Sequence, residues 1–425
     1  MKTYVFVIPT LFRVGSVLRT EIPRSLALQP DTRIVVVSPF AHDESFKKEF
    51  PAYIHEPLVA VPQVRVGRLN HLREIALAIH TPYFFKSHLI EYSAVARRII
   101  TRLPPKERIA WYAGILMQPF RALSVVIFNV LEERLLQIEA YESICKKYKV
   151  DAIILGTFSE AQDIVWLALS RRRKIPAFVI DFPWSYLETR VYAVPRPAHI
   201  FVWNERMREE LLNNFPVSQD NVHIGGCQRY DLYTKKFPAV GREEFFKSIG
   251  ADPNKKLIAY YIGMDYWHPY QHDSAELILE SIRTGKLPTD TQLLVRHGWR
   301  QNISKEFLAL AEKYPNLILE KAEEKPHQLH ASHLLHYCDV SLSIFSSLAI
   351  DAAVVDKPMI YMGFAGFKEA HPNDEAIAQI FEYEFVKEAT VTGGIRVAYN
   401  AEELVSLLST YFKAVSYTHL TLPTN

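Results

Sequence analysis

Short apolar runs rich in β-branched residues alternate with helical patterns along this 425-residue chain. The strand-like runs are Tyr4–Ile8, Ile34–Ser38, Ala152–Leu155, Ala177–Ile180 and Ile200–Trp203, then, after a break, Leu257–Ile262, Leu293–Arg296, Leu317–Leu319, Val340–Ile344 and Met359–Met362. They are apolar at consecutive rather than alternate positions, so both faces of each strand must be covered. The amphipathic stretches between them are the crossover helices that a parallel sheet requires, and an α/β, doubly wound fold follows. Pro238, Gly241, Gly250 and Pro253, set among charged residues, interrupt the pattern. The organisation read from this is an N-terminal Rossmann-like domain over 1–235, a C-terminal one over 236–400, a truncated helix over 401–414 and a tail over 415–425. Two such domains are expected to face a cleft, with ligands at the carboxyl ends of the strands.

Charge and cysteine content narrow the function. The 49 basic residues nearly balance the 47 acidic ones, and the chain shows no basic stripe or recognition motif, so no nucleic-acid partner is expected. Cys145, Cys227 and Cys338 stand far apart with no CxxC, which fits a reducing, cytoplasmic setting. The opening MKTYVFVIPT is too short an apolar run for a signal peptide, and Ile109–Met117 is cut off by Gln118, Pro119 and Arg121 before it reaches spanning length. Between Lys86 and Arg108 lie six basic residues (Lys86, Arg97, Arg98, Arg102, Lys106, Arg108) against Glu91 and Glu107, and an apolar segment from Trp111 to Val130 follows. Two readings fit 86–130: a peripheral contact with an anionic surface on the inner face of the cell membrane, or a solvated basic helix followed by a core helix. Asn400 and Glu403 form a capping box for a last amphipathic helix. The residues after it, VSYTHLTLPTN over Val415–Asn425, resemble the translation of a transposase sequencing adapter, and the natural protein is expected to continue differently after about Ala414.

The most informative stretch is Asp339–Met362, DVSLSIFSSLAIDAAVVDKPMIYM. A buried strand runs into Ser346-Ser347, a helix carries Asp351 about one turn on, and Lys357-Pro358 leads into the next strand. Ser346 suits an N-cap, and the N–H groups and dipole behind it suit a phosphate. Asp351 suits a ribose hydroxyl, although an ordinary β–α unit with a capping serine has the same pattern. This segment resembles the donor-binding signature of GT-B glycosyltransferases and their relatives, and CDP-glycerol glycerophosphotransferases look close here. The resemblance implies a GT-B fold in which Ser346 and Ser347 meet a donor diphosphate and Asp351 its ribose.

Supporting elements sit at other strand ends. LLVRHGW over Leu293–Trp299 resembles the Arg-His-Pro element of the same families, with Gly298 and Trp299 in place of proline. It implies catalytic roles for Arg296 and His297, the cation neutralising a leaving diphosphate. The loop opened by Gly263 carries Tyr266, Trp267 and Tyr270 to stack on a base, and His268 or His272 to touch phosphate. HIGGCQRYDLY over His223–Tyr233 resembles the element closing the first GT-B domain, where Gly225 and Gly226 permit a tight turn and Asp231 caps the chain after it. In the first half, FRVGSVLRT over Phe12–Thr20 places Gly15 at the opening of a helix and Arg13 or Arg19 toward an acceptor or phosphate. Glu160, Asp163 and Asp181 follow two strand ends and are the carboxylates available as a general base, Glu160 and Asp163 serving equally to bias a helix N-terminus. His327, His330, His333 and His336 drift around a helix and cannot converge on one metal, and DxD, Walker, HExxH and GxSxG motifs are absent.

The resulting expectation is a metal-independent GT-B glycosyltransferase. It uses a nucleotide sugar as substrate, has no resident cofactor, and acts on a cell-surface glycan or glycolipid. Donor contacts fall at Gly263, Ser346, Ser347 and Asp351, acceptor contacts at Arg13 and Gly15, and catalysis at Glu160, Asp181, Arg296 and His297. The alternatives are a CDP-glycerol-type polyol-phosphate transferase, a nonhydrolysing UDP-N-acetylglucosamine 2-epimerase and a non-catalytic nucleotide- or glycan-binding relative.

Overall fold

A computed structural model describes residues 1–59, 72, 105–136, 138–158, 160–181, 184, 199–214, 217–231, 233, 237–263, 270–298, 302–321, 330–364, 377, 381, 384–391 and 394–413. The tail over 415–425 lies outside the described residues. The chain divides into two compact units, Met1–Leu232 and Tyr233–Asn425.

The first unit is built on a seven-stranded parallel sheet of order β3-β2-β1-β4-β5-β6-β7. Its strands are β1 (Lys2–Val7), β2 (Thr32–Ser38), β3 (Ile54–Pro57), β4 (Ala152–Leu155), β5 (Ala177–Val179), β6 (His199–Val202) and β7 (Val222–Ile224). Alternation along the strands feeds two cores. Val5, Val7, Val35, Val37, Ile153 and Leu155 pack on one face. Phe6, Ile8, Ile34, Val36 and Ile154 pack on the other. This two-sided burial is what the consecutive apolar runs predict.

The second unit carries a six-stranded parallel sheet of order β10-β9-β8-β11-β12-β13. Its strands are β8 (Lys256–Tyr261), β9 (Thr291–His297), β10 (Leu317–Lys321), β11 (Val340–Ser343), β12 (Met359–Met362) and β13 (Ile395–Ala398). Helices connect the strands in both units, and the predicted capping box closes the last one. The Glu403 N–H donates to Asn400 Oδ1 at 2.9 Å, and the Glu403 carboxylate accepts from the Tyr399 N–H at 2.8 Å. Gly226 takes φ +72°, the left-handed conformation expected of its turn. Among the described residues, no helix is long and apolar enough to cross a membrane.

Candidate functional site

In each unit the chain winds outward on one side of its first strand and then returns to the other side. The strand order therefore reverses between β1 and β4, and again between β8 and β11. Loops leaving two such strands diverge, and a crevice opens at their carboxyl ends.

In the first unit, Thr10 starts a helical turn, Leu11–Arg13, its side chain accepting from the Arg13 N–H at 3.4 Å. The turn widens at once into a π-helical stretch, Val14–Leu18, which contains Gly15. The helix therefore opens at Leu11 and not at Gly15, because Thr10 supplies the cap. Arg13 is turned into the fold and is 2% exposed. Its Nη2 donates to Glu160 Oε1 at 2.9 Å, and its Nη1 donates to the Asp181 carboxylate and, at 3.2 Å, to the Asp181 carbonyl. The guanidinium read as an anion contact is thus engaged by carboxylates of its own chain. Arg19, the other candidate there, pairs with Glu49.

Gly156, the first residue beyond β4, makes room for this side chain. A Cβ on it would lie 2.5 Å from Arg13 Nε and 2.7 Å from Cζ. Gly156→Ala is expected to push the guanidinium off its partners and destabilise the protein by about 1–3 kcal/mol, as overpacking does. Urea unfolding checks this, and an unchanged midpoint would mean that Arg13 moves aside freely.

A third carboxylate completes the group. Asp163, in the first turn of the helix Ala161–Arg173, is 1% exposed and accepts from the Thr157 hydroxyl. Burial pushes its carboxyl up to about 7, against the opposing pull of the Arg13 charge and the Thr157 hydrogen bond. For Arg13 itself burial acts downward, but the Asp181, Glu160 and Asp163 carboxylates outweigh it and hold the guanidinium above its ordinary value. Asp181 is as buried as Arg13, whereas the Glu160 side chain is 40% exposed. One buried cation therefore fixes a carboxylate that solvent can reach, beside another that holds a proton near neutral pH.

In the second unit, Gln271 in the first turn of the helix Gln271–Arg283 clamps Gly263, the second residue beyond β8. The Gly263 N–H donates to Gln271 Oε1 at 2.6 Å, and Gln271 Nε2 donates to the Gly263 carbonyl at 3.0 Å. A Cβ on Gly263 would lie 2.8 Å from Ile344 Cδ1, so the glycine lets the β8 loop close on the β11 loop. Beyond β11, Ser346 Oγ accepts from the Leu348 N–H at 3.2 Å, and the Ser346 carbonyl accepts from the Tyr361 hydroxyl at 2.5 Å. Ser347 occupies the cap position of the helix Leu348–Val354, one residue later than the sequence pattern places it, and its hydroxyl makes no capping bond. Asp351 is buried and accepts from the Tyr233 hydroxyl at 3.1 Å, which also meets the Ser332 hydroxyl at 2.7 Å.

Arg296 and Glu320 are register partners on β9 and β10. Arg296 Nη1 donates to the Glu320 carboxylate, whose other oxygen meets His330 Nε2 at 2.5 Å. Burial acts to raise the Glu320 pKa, but His330 and Arg296 outweigh it and hold the carboxyl below its ordinary value. Arg296 lies at the strand's carboxyl end as read, but as one half of an ion pair. His297 alternates to the other face, where it is 1% exposed and meets Phe307 edge-on at 4.9 Å. The remaining histidines serve separate neighbours. His333 Nε2 accepts from the Ala239 N–H at 3.0 Å, and His336 packs edge-on against Phe237 at 5.2 Å, where burial lowers its pKa. Tyr266, Trp267, His268, Trp299 and His327 lie outside the described residues.

Gln271, Glu320, Tyr233 and Tyr361 join these arrangements without having been singled out in the sequence. Glu320 had a signal, since it follows the apolar run Leu317–Leu319 directly, as Arg296 follows Leu293–Val295 in the neighbouring strand. Gln271 had only its place at a helix start, and Tyr233 and Tyr361 had none.

No protein-family model and no curated protein matches the sequence. Solved structures do match. A UDP-GlcNAc 2-epimerase from Neisseria meningitidis, solved bound to UDP-GlcNAc, is 12% identical over 99% of this chain and 94% of its own, with a TM-score of 0.57. The S. aureus MnaA–UDP co-structure is 11% identical over 99% and 90%, with a TM-score of 0.53. A UDP-N-acetylglucosamine 2-epimerase from Rickettsia bellii is 10% identical over 98% and 91%, with a TM-score of 0.53. The chain has the GT-B fold. Both of its units are of the Rossmann-like type expected from the alternating pattern.

Proposed function

We propose that this protein takes a nucleotide-activated sugar and transfers the sugar to a glycan or glycolipid acceptor, the nucleotide being held by the second unit at Gly263, Ser346, Ser347 and Asp351. The observation that carries this reading is the construction of the β8/β11 switch point. Gly263, with no room for a Cβ against Ile344, lies beside the turn that leads through Ser346 and Ser347 into the helix bearing Asp351. Bare backbone and hydroxyls suit a diphosphate, and a carboxylate accepts from ribose hydroxyls. Proteins of similar fold solved with UDP-GlcNAc or UDP support the class of ligand.

In this reading Glu160 receives the proton of the acceptor hydroxyl, since it is the carboxylate of its group with substantial access to solvent. Arg13 and Asp181 are positioning residues for it. Arg296 orders Glu320 and His330, and His297, packed under Phe307, has no chemical part.

A second reading is favoured by the fold likeness to UDP-GlcNAc 2-epimerases and by Asp163, a carboxyl still titrating near neutral pH beside Glu160. It predicts turnover of UDP-GlcNAc alone, whereas transfer requires an acceptor.

The test is thermal stabilisation by UDP, CDP, CMP, GDP, dTDP and ADP, with Ser347→Trp and Asp351→Asn run beside the native protein. A nucleoside diphosphate at a hundred times its Kd is expected to contribute about 2.7 kcal/mol, a rise of about 5–10 °C in Tm. Neither variant should show the rise. Stabilisation that persists in both variants, or is absent throughout, sinks the assignment.

A further inference from the structure

We infer that the helix pair Pro105–Leu116 and Arg121–Leu135 docks on an anionic phospholipid surface. On the first helix Ile109, Tyr112 and Leu116 follow one another at helical spacing and all are exposed, Ile109 by 70% and Leu116 by 81%. On the second, Leu123, Val126 and Val130 form an exposed stripe of the same spacing, while Phe128, Leu131 and Leu135 on another side of that helix are buried. The second helix is therefore apolar both where it meets the protein and where it does not. Scattered exposed apolar residues are ordinary on a surface, but such stripes on two successive helices are not. Between Ile109 and Leu131 the sequence carries one charge, Arg121.

Charge identifies the occupant. The sequence leading into the first helix, Lys86–Arg108, has six basic residues against two acidic, a net +4. An apolar helix pair preceded in the sequence by a basic stretch fits a bilayer whose acyl boundary takes the apolar side chains and whose phosphates attract cations. Tyr112 and the exposed Phe120 suit the headgroup level, where aromatic rings collect. Since no described helix spans a bilayer, the contact is one of lying on the surface.

The experiment is co-sedimentation of the full chain with vesicles of phosphatidylglycerol and phosphatidylcholine, or of phosphatidylcholine alone, at low and high salt. The expected result is binding to the anionic vesicles, weakened by salt and by removal of phosphatidylglycerol. The double variant Leu116→Asp, Leu123→Asp is expected to lose at least about tenfold in partitioning. Its circular dichroism should be unchanged, because both side chains are exposed in the folded chain. No binding to anionic vesicles, or binding indifferent to lipid charge and salt, overturns the inference independently of any variant. A concentration-dependent dimer in sedimentation that the double variant dissociates also overturns it, since a second copy would then cover the face.

Discussion

Arg13→Ala is expected to destabilise the first unit by about 3–5 kcal/mol, the range for removing one partner from a buried ion pair. The loss comes mainly from what remains behind. Asp181 keeps a carboxylate that is 1% exposed, with its cation gone. Glu160 adds little, since its side chain is 40% exposed and water replaces the lost contact. Arg13→Lys is expected to lose less than the alanine variant and more than nothing. It keeps the charge but cannot fork between Glu160 and Asp181 as the guanidinium does. Arg13→Ala combined with Asp181→Asn should be more stable than the sum of the two single changes predicts, because the second removes the orphaned charge that the first creates. Urea unfolding followed by far-ultraviolet circular dichroism measures the native protein and the four variants, Asp181→Asn alone included. A loss below about 1 kcal/mol for Arg13→Ala would mean that Asp181 is not held as a buried carboxylate by this partner.

That pairing marks where sequence reading stops. The central strands were legible because each is apolar on both faces, as Val35–Val37 and Ile258–Tyr260 are. The strands that went unread, Ile54–Pro57, Val222–Ile224 and Ile395–Ala398, all lie at sheet edges. An edge strand is short and half-solvated, so its pattern fades into loop unless it keeps an apolar run, as the fourth edge strand does at Leu317–Leu319. The same division holds for the site. That Arg13, Glu160, Asp181, Arg296, Ser346 and Asp351 fall at or just beyond strand ends was readable, because each follows an apolar run. What each side chain touches was not. The carboxylates facing Arg13 are 147 and 168 residues away, and local pattern carries no information at that distance. An unpartnered arginine at a strand end looks like an anion site, and the fold supplies its anions from within. His297 fails for a simpler reason: it neighbours Arg296, and successive residues on a strand point to opposite faces. Periodicity likewise showed that 109–130 is apolar, but only burial shows that one stripe of the second helix is covered and another is not.

Asp163→Asn is expected to become steadily more stable relative to the native protein as pH rises from 5 to 8. The sign follows from where the proton is held. The Asp163 carboxyl titrates at about 7 in the folded chain, against an ordinary 3.8. Between those values the folded state binds more protons than the unfolded one, so stability falls as pH rises. The contribution is fully present below pH 3.8 and lost as pH passes through about 7. The gap of about 3 pH units corresponds to at most about 4 kcal/mol. Other groups titrate nearby. Glu320 is held below its ordinary value, and His199 and His336 are lowered by burial. Their contributions are common to both proteins and cancel in the difference. Asn keeps the shape of the side chain and an oxygen for the Thr157 hydroxyl, so the pH-dependent part of the difference reports the carboxyl itself. A difference that stays flat across the range would show that Asp163 is ionised throughout. The outcome also fixes what Arg13 faces. A protonated Asp163 leaves the cation with Asp181 and the half-exposed Glu160, and Arg13→Ala should then have nearly the same effect at pH 5.5 as at pH 6.5. An ionised one adds a second fully buried carboxylate, which takes up a proton once its partner is lost, so the effect of Arg13→Ala must then grow as pH rises.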